Sequence, residues 1–190
     1  MRRVIIGVIV ATVAAVGIGG VAASLAVGSA VTSIASASPT PTCPPADPVT
    51  VGGITVPAGP VAGYCQPELI NAAHVLDAAH SLGIGTRTQT VGIMTAIGES
   101  GLRNLTYGDA VGPDSRGLFQ QRDNGAWGTL TDRMDPYTAA YNFFVAVTHV
   151  NGWQTMEPTL LAHAVQVNAD PYHYQKYWAE AQAIVAALGG

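Results

Sequence analysis

The sequence predicts an all-α domain from about residue 67 to residue 190, behind an apolar N-terminal segment (1–32) and a linker (33–66). Two observations predict this fold class. After position 67, apolar residues recur three or four positions apart, as they do on one face of a helix, and alternating strand patterns are nearly absent. Prolines that suit the first turn of a helix then divide this part of the chain into roughly five helices.

The N-terminal segment has the pattern of a membrane-targeting element. Arg2 and Arg3 precede a stretch from Val4 to Val31 that contains no charged residue, and about 20 apolar residues suffice to cross a bilayer. The arginines predict that the N-terminus stays in the cytoplasm while the rest is exported. Its length favours a retained transmembrane anchor; the alternative is a signal peptide that is cleaved after the small residues at 35–37.

The linker at 33–66 is dominated by Ser, Pro, Thr, Ala and Gly. This composition predicts a flexible segment, because it cannot bury enough apolar surface to fold alone. Cys43 and Cys65 lie within it, and in an oxidising compartment they are expected to form a disulfide. Two free thiols are the alternative, whereas their spacing excludes a CxxC metal or redox site.

The helices of the domain are predicted from their start and stop signals. The first runs from Pro67 to about Gly83. The second starts at Thr86, where Thr86 and Gln89 resemble a capping box, and continues to Glu99. Residues 101–134 show no periodicity, and a stretch of this length is often functional. Three further helices are predicted from Pro136 to near Gly152, from Pro158 through Val165, and from Pro171 to Gly189.

Charge and motif content exclude several classes of protein. The net charge is −4, and Lys176 is the only lysine, so the clustered cations that bind nucleic acid are missing. The five histidines show no metal-ligand spacing, and no Gly-x-Ser-x-Gly elbow occurs. We therefore expect no metal site and no binding of nucleic acid. The protein is further expected to be a monomer that needs no cofactor.

Glu99 is the most informative residue of the predicted domain. It ends a largely apolar helix and precedes the irregular stretch. Apolar packing disfavours the ionised carboxylate and raises its pKa, which is what a general acid for glycosidic cleavage requires. On position alone, however, Glu99 also fits an ordinary exposed residue at a helix end, so the surrounding motifs decide between the two interpretations.

Those motifs follow one another in a definite order. Ala96-Ile97-Gly98-Glu99-Ser100-Gly101-Leu102 is followed by Gly117-Leu118-Phe119-Gln120, and later by Trp127-Gly128-Thr129, Asp135-Pro136 and Ala164-Val165-Gln166. This series resembles the soluble lytic transglycosylase and goose-type lysozyme families. It is most similar to the small secreted lysozyme-like domains of actinobacteria and their phages. The resemblance covers about residues 90 to 177, which is most of the predicted domain.

The resemblance implies a lysozyme-like fold that cleaves peptidoglycan glycan strands between N-acetylmuramic acid and N-acetylglucosamine. Glu99 would protonate the glycosidic oxygen and then act as a base. The sugar's own 6-hydroxyl would attack, giving the 1,6-anhydro product of a lytic transglycosylase. The substrate-binding residues implied are Ser100, Tyr107, Gly117, Leu118, Phe119, Gln120, Trp127 and Gln166. Among these, Ser100 would orient the carboxyl or an N-acetyl group, and Gly117 would let the backbone approach the glycan.

Several alternatives remain open. Asp109 or Asp114 could face Glu99 across a water, which would make the enzyme an inverting hydrolase, although both also fit turn sequences. Val165 stands where the family has a tyrosine, and we expect Tyr107, Tyr141 or Tyr172 to replace it.

The rival function is a non-catalytic peptidoglycan-binding module of a membrane-tethered secretion or conjugation apparatus. In either case the domain is expected outside the cytoplasm, at the cell membrane or secreted to the cell wall.

Overall fold

The computed structural model describes residues 42–190. The apolar segment at 1–32, and with it the choice between anchor and signal peptide, lies outside the described residues. Within residues 42–190, no helix combines the length and the apolar character needed to cross a membrane.

The described chain is mostly helical, which confirms the predicted all-α class at this level. A small antiparallel hairpin precedes the helices. The hairpin strands are β1 (Val49–Val51) and β2 (Ile54–Val56). The helices are α1 (Gln66–Ser81), α2 (Thr86–Ser100), α3 (Leu130–Met134), α4 (Pro136–Thr148), α5 (Pro158–Gln166) and α6 (Trp178–Leu188), with a 3₁₀ turn at Gln175–Tyr177 before α6.

Helix α2 lies in the middle of the domain. It packs against α1, α4, α5 and α6, and most of its residues are buried. A helix that is surrounded in this way must be apolar or small on nearly every side. Gly92 is one such position, because a Cβ placed there would overlap the ring of Phe144 on α4. The buried hydroxyl of Thr95 is satisfied within the helix, since it donates to Val91 O at 2.7 Å.

The prediction of a flexible linker over residues 33–66 is wrong for the part that forms the hairpin. Val49 pairs with Val56, and the turn between the strands uses Gly52 and Gly53 at positive φ. Ile54 and Val56 are buried, and β2 packs against α1 and α6. The average composition of the segment conceals this short apolar alternation, which is enough to attach the hairpin to a core that other elements provide.

The expected disulfide between Cys43 and Cys65 is present. Cys65 is the residue that precedes the first turn of α1. Next to it, the Tyr64 hydroxyl donates to the Glu180 carboxylate of α6 at 3.0 Å. The hairpin segment is therefore fastened at both ends to the helical core.

Helix α2 begins at Thr86 as predicted, but the predicted capping box at its start is wrong, and the last helix begins later than predicted. The N-cap of α2 is Gly85, and no side chain caps it; the capping box belongs instead to Thr129 and Asp132 at the start of α3. The last helix begins at Trp178 rather than at Pro171. The reason is local, since the Asp170 carboxylate accepts from Tyr172 N at 2.9 Å in a turn, which competes with helix initiation.

The irregular stretch at 101–134 is confirmed as lacking long elements, and side chains bonded to backbone hold it in place. Arg133 is buried, and its guanidinium pairs with Asp123 at 2.9 Å and donates to Asp114 O at 3.3 Å. The Asn104 amide donates to Met134 O at 2.7 Å. These bonds replace the missing helical hydrogen bonds and give the stretch a fixed shape.

Candidate active site

Glu99 lies in the last turn of α2, where the helix emerges from the core. Gly101 ends the helix in the left-handed conformation, with φ of 63°, which glycine adopts at little cost. The chain therefore turns away directly after Glu99, whose side chain is partly buried and lines two neighbouring cavities.

The two cavities meet at Glu99 and Gln120, the residues that line both. The larger has a volume of about 420 Å³ and is walled by segments 105–115 and 168–173. The smaller has a volume of about 290 Å³ and is walled by segments 120–127 and 165–167. Together they form a groove with the carboxyl at the junction. We call them the 420 Å³ cavity and the 290 Å³ cavity.

The Glu99 carboxyl is held by a tyrosine. The Tyr174 hydroxyl donates to Glu99 Oε1, and the Tyr174 side chain is fully buried. Its ring packs directly on Gly98, where an added Cβ would lie 2.6 Å from Tyr174 Cδ1. The expectation that Tyr107, Tyr141 or Tyr172 takes this position is wrong, because the hydroxyl bonded to Glu99 is that of Tyr174. Tyr174 belongs to the turns before α6 that were predicted as helix.

Burial of Glu99 raises the pKa of its carboxyl to about 7. Desolvation is the largest cause, because it penalises the charged form. Hydrogen bonding from Tyr174 and, less, from the Gln166 amide opposes it, and the negative charge of Asp109 adds a small further rise. At neutral pH the carboxyl is therefore about half protonated, whereas an exposed glutamate would be almost fully ionised.

Four of the eight predicted substrate-binding residues line the groove. Tyr107 lies in the 420 Å³ cavity and is 61% exposed. Trp127 and Gln166 lie in the 290 Å³ cavity, and Gln120 lies in both. The Gln166 amide donates to Phe119 O at 2.9 Å, which fixes the helix α5 end to the loop that carries Gln120.

The other four predicted substrate-binding residues lie behind the groove, which corrects their expected roles. The Ser100 hydroxyl is buried and donates to Leu118 O at 2.8 Å, so it joins α2 to the loop and does not bond the carboxyl. Leu118 and Phe119 have fully buried side chains, and Phe119 stacks on Phe143 of α4. Gly117, with φ of 77°, is needed because a Cβ would overlap the Arg133 carbonyl; no space there faces a ligand.

The two aspartates differ in their relation to Glu99. Asp114 forms an ion pair with Arg122 at 2.6 Å and accepts from Asp123 N at 2.8 Å, and it lines neither cavity of the groove. Asp109 lines the 420 Å³ cavity, while its Oδ1 accepts from Val111 N at 3.0 Å. Both carboxylates thus accept backbone hydrogen bonds that stabilise the loop. Of the two, Asp109 is the residue that lines the groove.

The groove also contains residues that the sequence did not predict. Asn168 and His173 line the 420 Å³ cavity, and Arg122 lines the 290 Å³ cavity. The sequence around residues 168–174 gives no sign that these residues line a groove, because only the tertiary fold brings this segment to Glu99. Within residues 42–190, no group of three or more His, Cys, Asp or Glu side chains is arranged to hold a metal ion.

A scan against models of protein families found no match to this chain, and neither did a search of curated proteins. The chemistry of the groove has to be inferred from its own residues.

The contact between Gly98 and Tyr174 yields a prediction. Gly98→Ala should lower the free energy of unfolding by about 1–3 kcal/mol, although alanine normally stabilises a helix interior relative to glycine. It should also raise the pKa of Glu99, because the displaced Tyr174 can no longer hydrogen-bond the carboxylate. Urea unfolding and carboxyl ¹³C NMR titration would measure both effects.

Gly85→Ala at the other end of α2 is the matched control. A Cβ there meets no atom of residues 42–190 within 4 Å, so the pKa of Glu99 should not change. If Gly98→Ala stabilises the protein and leaves the pKa of Glu99 unchanged, the position of the Tyr174 ring does not depend on Gly98.

Proposed function

We propose that this protein cleaves the glycan strands of peptidoglycan at the β-1,4 bond between N-acetylmuramic acid and N-acetylglucosamine, with Glu99 as the catalytic acid. The observation that carries the proposal is a partly buried carboxyl of raised pKa at the junction of two cavities. A sugar chain bound along the groove would have residues on both sides of the carboxyl, as cleavage within a polymer requires.

The first chemical step is proton transfer from Glu99 to the glycosidic oxygen. A pKa of about 7 keeps a large share of the carboxyl protonated at neutral pH, which suits a general acid. Tyr174 donates to Oε1, so Oε1 serves as an acceptor and the acidic proton belongs on Oε2. The glycosidic bond then breaks as positive charge develops at the anomeric carbon.

In the second step the Glu99 carboxylate takes a proton from the 6-hydroxyl of the muramic sugar, whose oxygen attacks the anomeric carbon. The product is a 1,6-anhydro sugar, and Glu99 is again protonated. This lytic transglycosylase route needs one carboxyl, and the engagement of Asp114 with Arg122 supports it. The alternative is a hydrolase in which Asp109, on the wall of the 420 Å³ cavity, activates water.

Tyr174 supports the proposed relation to lysozyme-like enzymes. The resemblance has one weak point, because Val165 stands where those families have a tyrosine. In this chain a phenol reaches the carboxyl from a different segment. Lysozyme-like architecture therefore remains compatible with the altered motif, and the same interaction argues for catalysis over the rival function as a non-catalytic wall-binding module.

We place the domain outside the cytoplasm, at the membrane or in the cell wall. The disulfide between Cys43 and Cys65 supports this location, because such bonds form and persist in oxidising compartments.

The direct test is digestion of purified peptidoglycan by the full chain, solubilised in mild detergent, beside Glu99→Gln. The unmutated protein should release anhydro-muropeptides, detected by mass spectrometry. Glu99→Gln should release at least 100-fold less, because its amide has no acidic proton to transfer. Reducing ends in place of anhydro sugars would establish the hydrolase. Binding to the wall without any release by the unmutated protein would refute catalysis and establish the wall-binding module.

Removal of the Tyr174 hydroxyl should move the pH dependence of activity. Glu99 acts in its protonated form, so kcat/KM should fall as the pH rises through about 7. The hydrogen bond from Tyr174 lowers this pKa, and Tyr174→Phe should therefore shift the alkaline limb to higher pH. Tyr177→Phe is the control, because the Tyr177 hydroxyl is not bonded to Glu99. An unshifted limb in Tyr174→Phe would show that the phenol does not act on the carboxyl.

Asp109→Asn separates the two mechanisms. In a transglycosylase it should retain anhydro products and shift the alkaline limb slightly to lower pH, because the charge that raises the pKa of Glu99 is gone. In an inverting hydrolase it should abolish turnover, since no base remains to activate water. Asp114→Asn, in the same loop but outside both cavities, should leave the product type unchanged. Product analysis by mass spectrometry and kcat/KM against pH would measure these outcomes.

A further inference from the structure

A third cavity lies at the start of α1, where the disulfide-bonded segment meets the helical core. Its volume is about 470 Å³, which exceeds that of either cavity of the groove. We call it the 470 Å³ cavity. Much of its wall is apolar, and two of its residues carry charge. The residues that matter for its chemistry are Pro44, Tyr64, Cys65, Pro67, Glu68 and Arg103.

Glu68 and Arg103 place opposite charges on the wall of this cavity, yet they do not neutralise each other. Within residues 42–190 only two ion pairs form, and neither includes Glu68 or Arg103. Glu68 is half-buried and Arg103 is exposed, so a molecule in the cavity can reach both charged groups. Such an arrangement complements a ligand that carries a cation and an anion a short distance apart.

The Arg103 guanidinium is anchored through its inner nitrogen. Arg103 Nε donates to Ser100 O at 3.1 Å, and Arg103 N donates to Ser100 Oγ at 3.2 Å. These bonds leave the two terminal nitrogens for a ligand. Guanidinium nitrogens form a planar fork that matches the two oxygens of a carboxylate. Arg103 is therefore a preorganised group for binding a carboxylate.

The Glu68 carboxylate lies in the first turn of α1, close to Tyr64. Burial and the hydrogen bond to Glu180 raise the pKa of Tyr64 above its usual value, and the negative charge of Glu68 adds to the rise. The Tyr64 hydroxyl donates to Glu180 at 3.0 Å, so it has no hydrogen left for Glu68. The carboxylate is thus able to accept hydrogen bonds from an ammonium group in the cavity.

The 470 Å³ cavity lies at the same end of α2 as the proposed catalytic acid. Gly101, which lines the cavity, follows Glu99 by two positions. No residue lines both this cavity and either cavity of the groove. A molecule bound here would therefore leave the groove free for a glycan strand.

We propose that the 470 Å³ cavity binds the uncrosslinked end of a peptidoglycan stem peptide, with Glu68 on its side-chain ammonium and Arg103 on its C-terminal carboxylate. This inference rests on the proposed function, because it takes the wall polymer as the ligand. An uncrosslinked stem carries the ammonium of a diamino acid next to the carboxylate of a terminal alanine. Crosslinking turns either group into an amide and removes its charge. The cavity would therefore direct cleavage to wall that is not yet crosslinked.

The test measures the binding of three peptides to the full chain in mild detergent by isothermal titration calorimetry. The first is a synthetic stem tetrapeptide, acetylated at its N-terminus, with a free lysine ammonium and a free C-terminal carboxylate. The second has the lysine acetylated, and the third has a C-terminal amide. The second and third should each bind about three- to fivefold more weakly than the first, as expected for the loss of one ion pair at a partly exposed site.

Substitution of each charged residue should remove the response to one modification only. Glu68→Gln should bind the first and second peptides equally, because the partner of the ammonium is gone. Arg103→Gln should bind the first and third peptides equally for the matching reason. Loss of the Glu68 charge also weakens the first turn of α1, but such a structural effect would lower the affinity for all three peptides alike.

Asp47→Asn is the control, because Asp47 is an exposed residue of the same disulfide-bonded segment and does not line the cavity. It should bind the three peptides like the unmutated protein. If the first peptide does not bind, or if Glu68→Gln and Arg103→Gln weaken all three peptides equally, the peptide site is refuted, while release of anhydro-muropeptides would leave the proposed function standing. Charge-selective peptide binding by a protein that releases nothing from peptidoglycan would refute the proposed cleavage and support the peptide site.

Discussion

The structure depends on one constraint. The Glu99 carboxyl must lie at the end of helix α2, which is packed on nearly every side. Helix α2 can lie in the middle of the domain only because neighbouring rings pack against glycines, Phe144 on Gly92 and Tyr174 on Gly98. The same packing withdraws Glu99 from water and raises its pKa to about 7. Stability of the core and reactivity of the groove are therefore two results of one arrangement.

Much of the fold could be predicted from local signals, and the failures have physical causes. Prolines and helical periodicity located α1, α2, α4 and α5, because these signals act within a few residues. The hairpin was missed because its burial depends on α1 and α6, which are distant in sequence. Asp170-Pro171 suits a helix start and a turn equally well, and the hydrogen bond from Tyr172 N to the Asp170 carboxylate favours the turn.

The groove was predicted only in part. Glu99 stood out because it ends a largely apolar helix and an ordered series of motifs surrounds and follows it, whereas Tyr174 is 75 positions away and gives no local signal. A linear motif also does not show which of its side chains face the groove and which are buried in the core. In the turn at 117–120, Gln120 lines the cavities while Leu118 and Phe119 enter the core. Both kinds of residue are needed, since the buried pair fixes the loop that presents the exposed one.

The position of the disulfide has a mechanical consequence. Any tension applied to the chain ahead of Cys43 passes through the sulfur–sulfur bond to Cys65, at the entrance of α1. The 21 residues between the two cysteines, which are separated by 22 positions, lie outside this load path. The hairpin, which only a few buried side chains attach to the core, would carry no force when the domain is pulled from its N-terminal side. Force would enter instead at the helix that packs against α2 and α4, where the domain is best able to resist it.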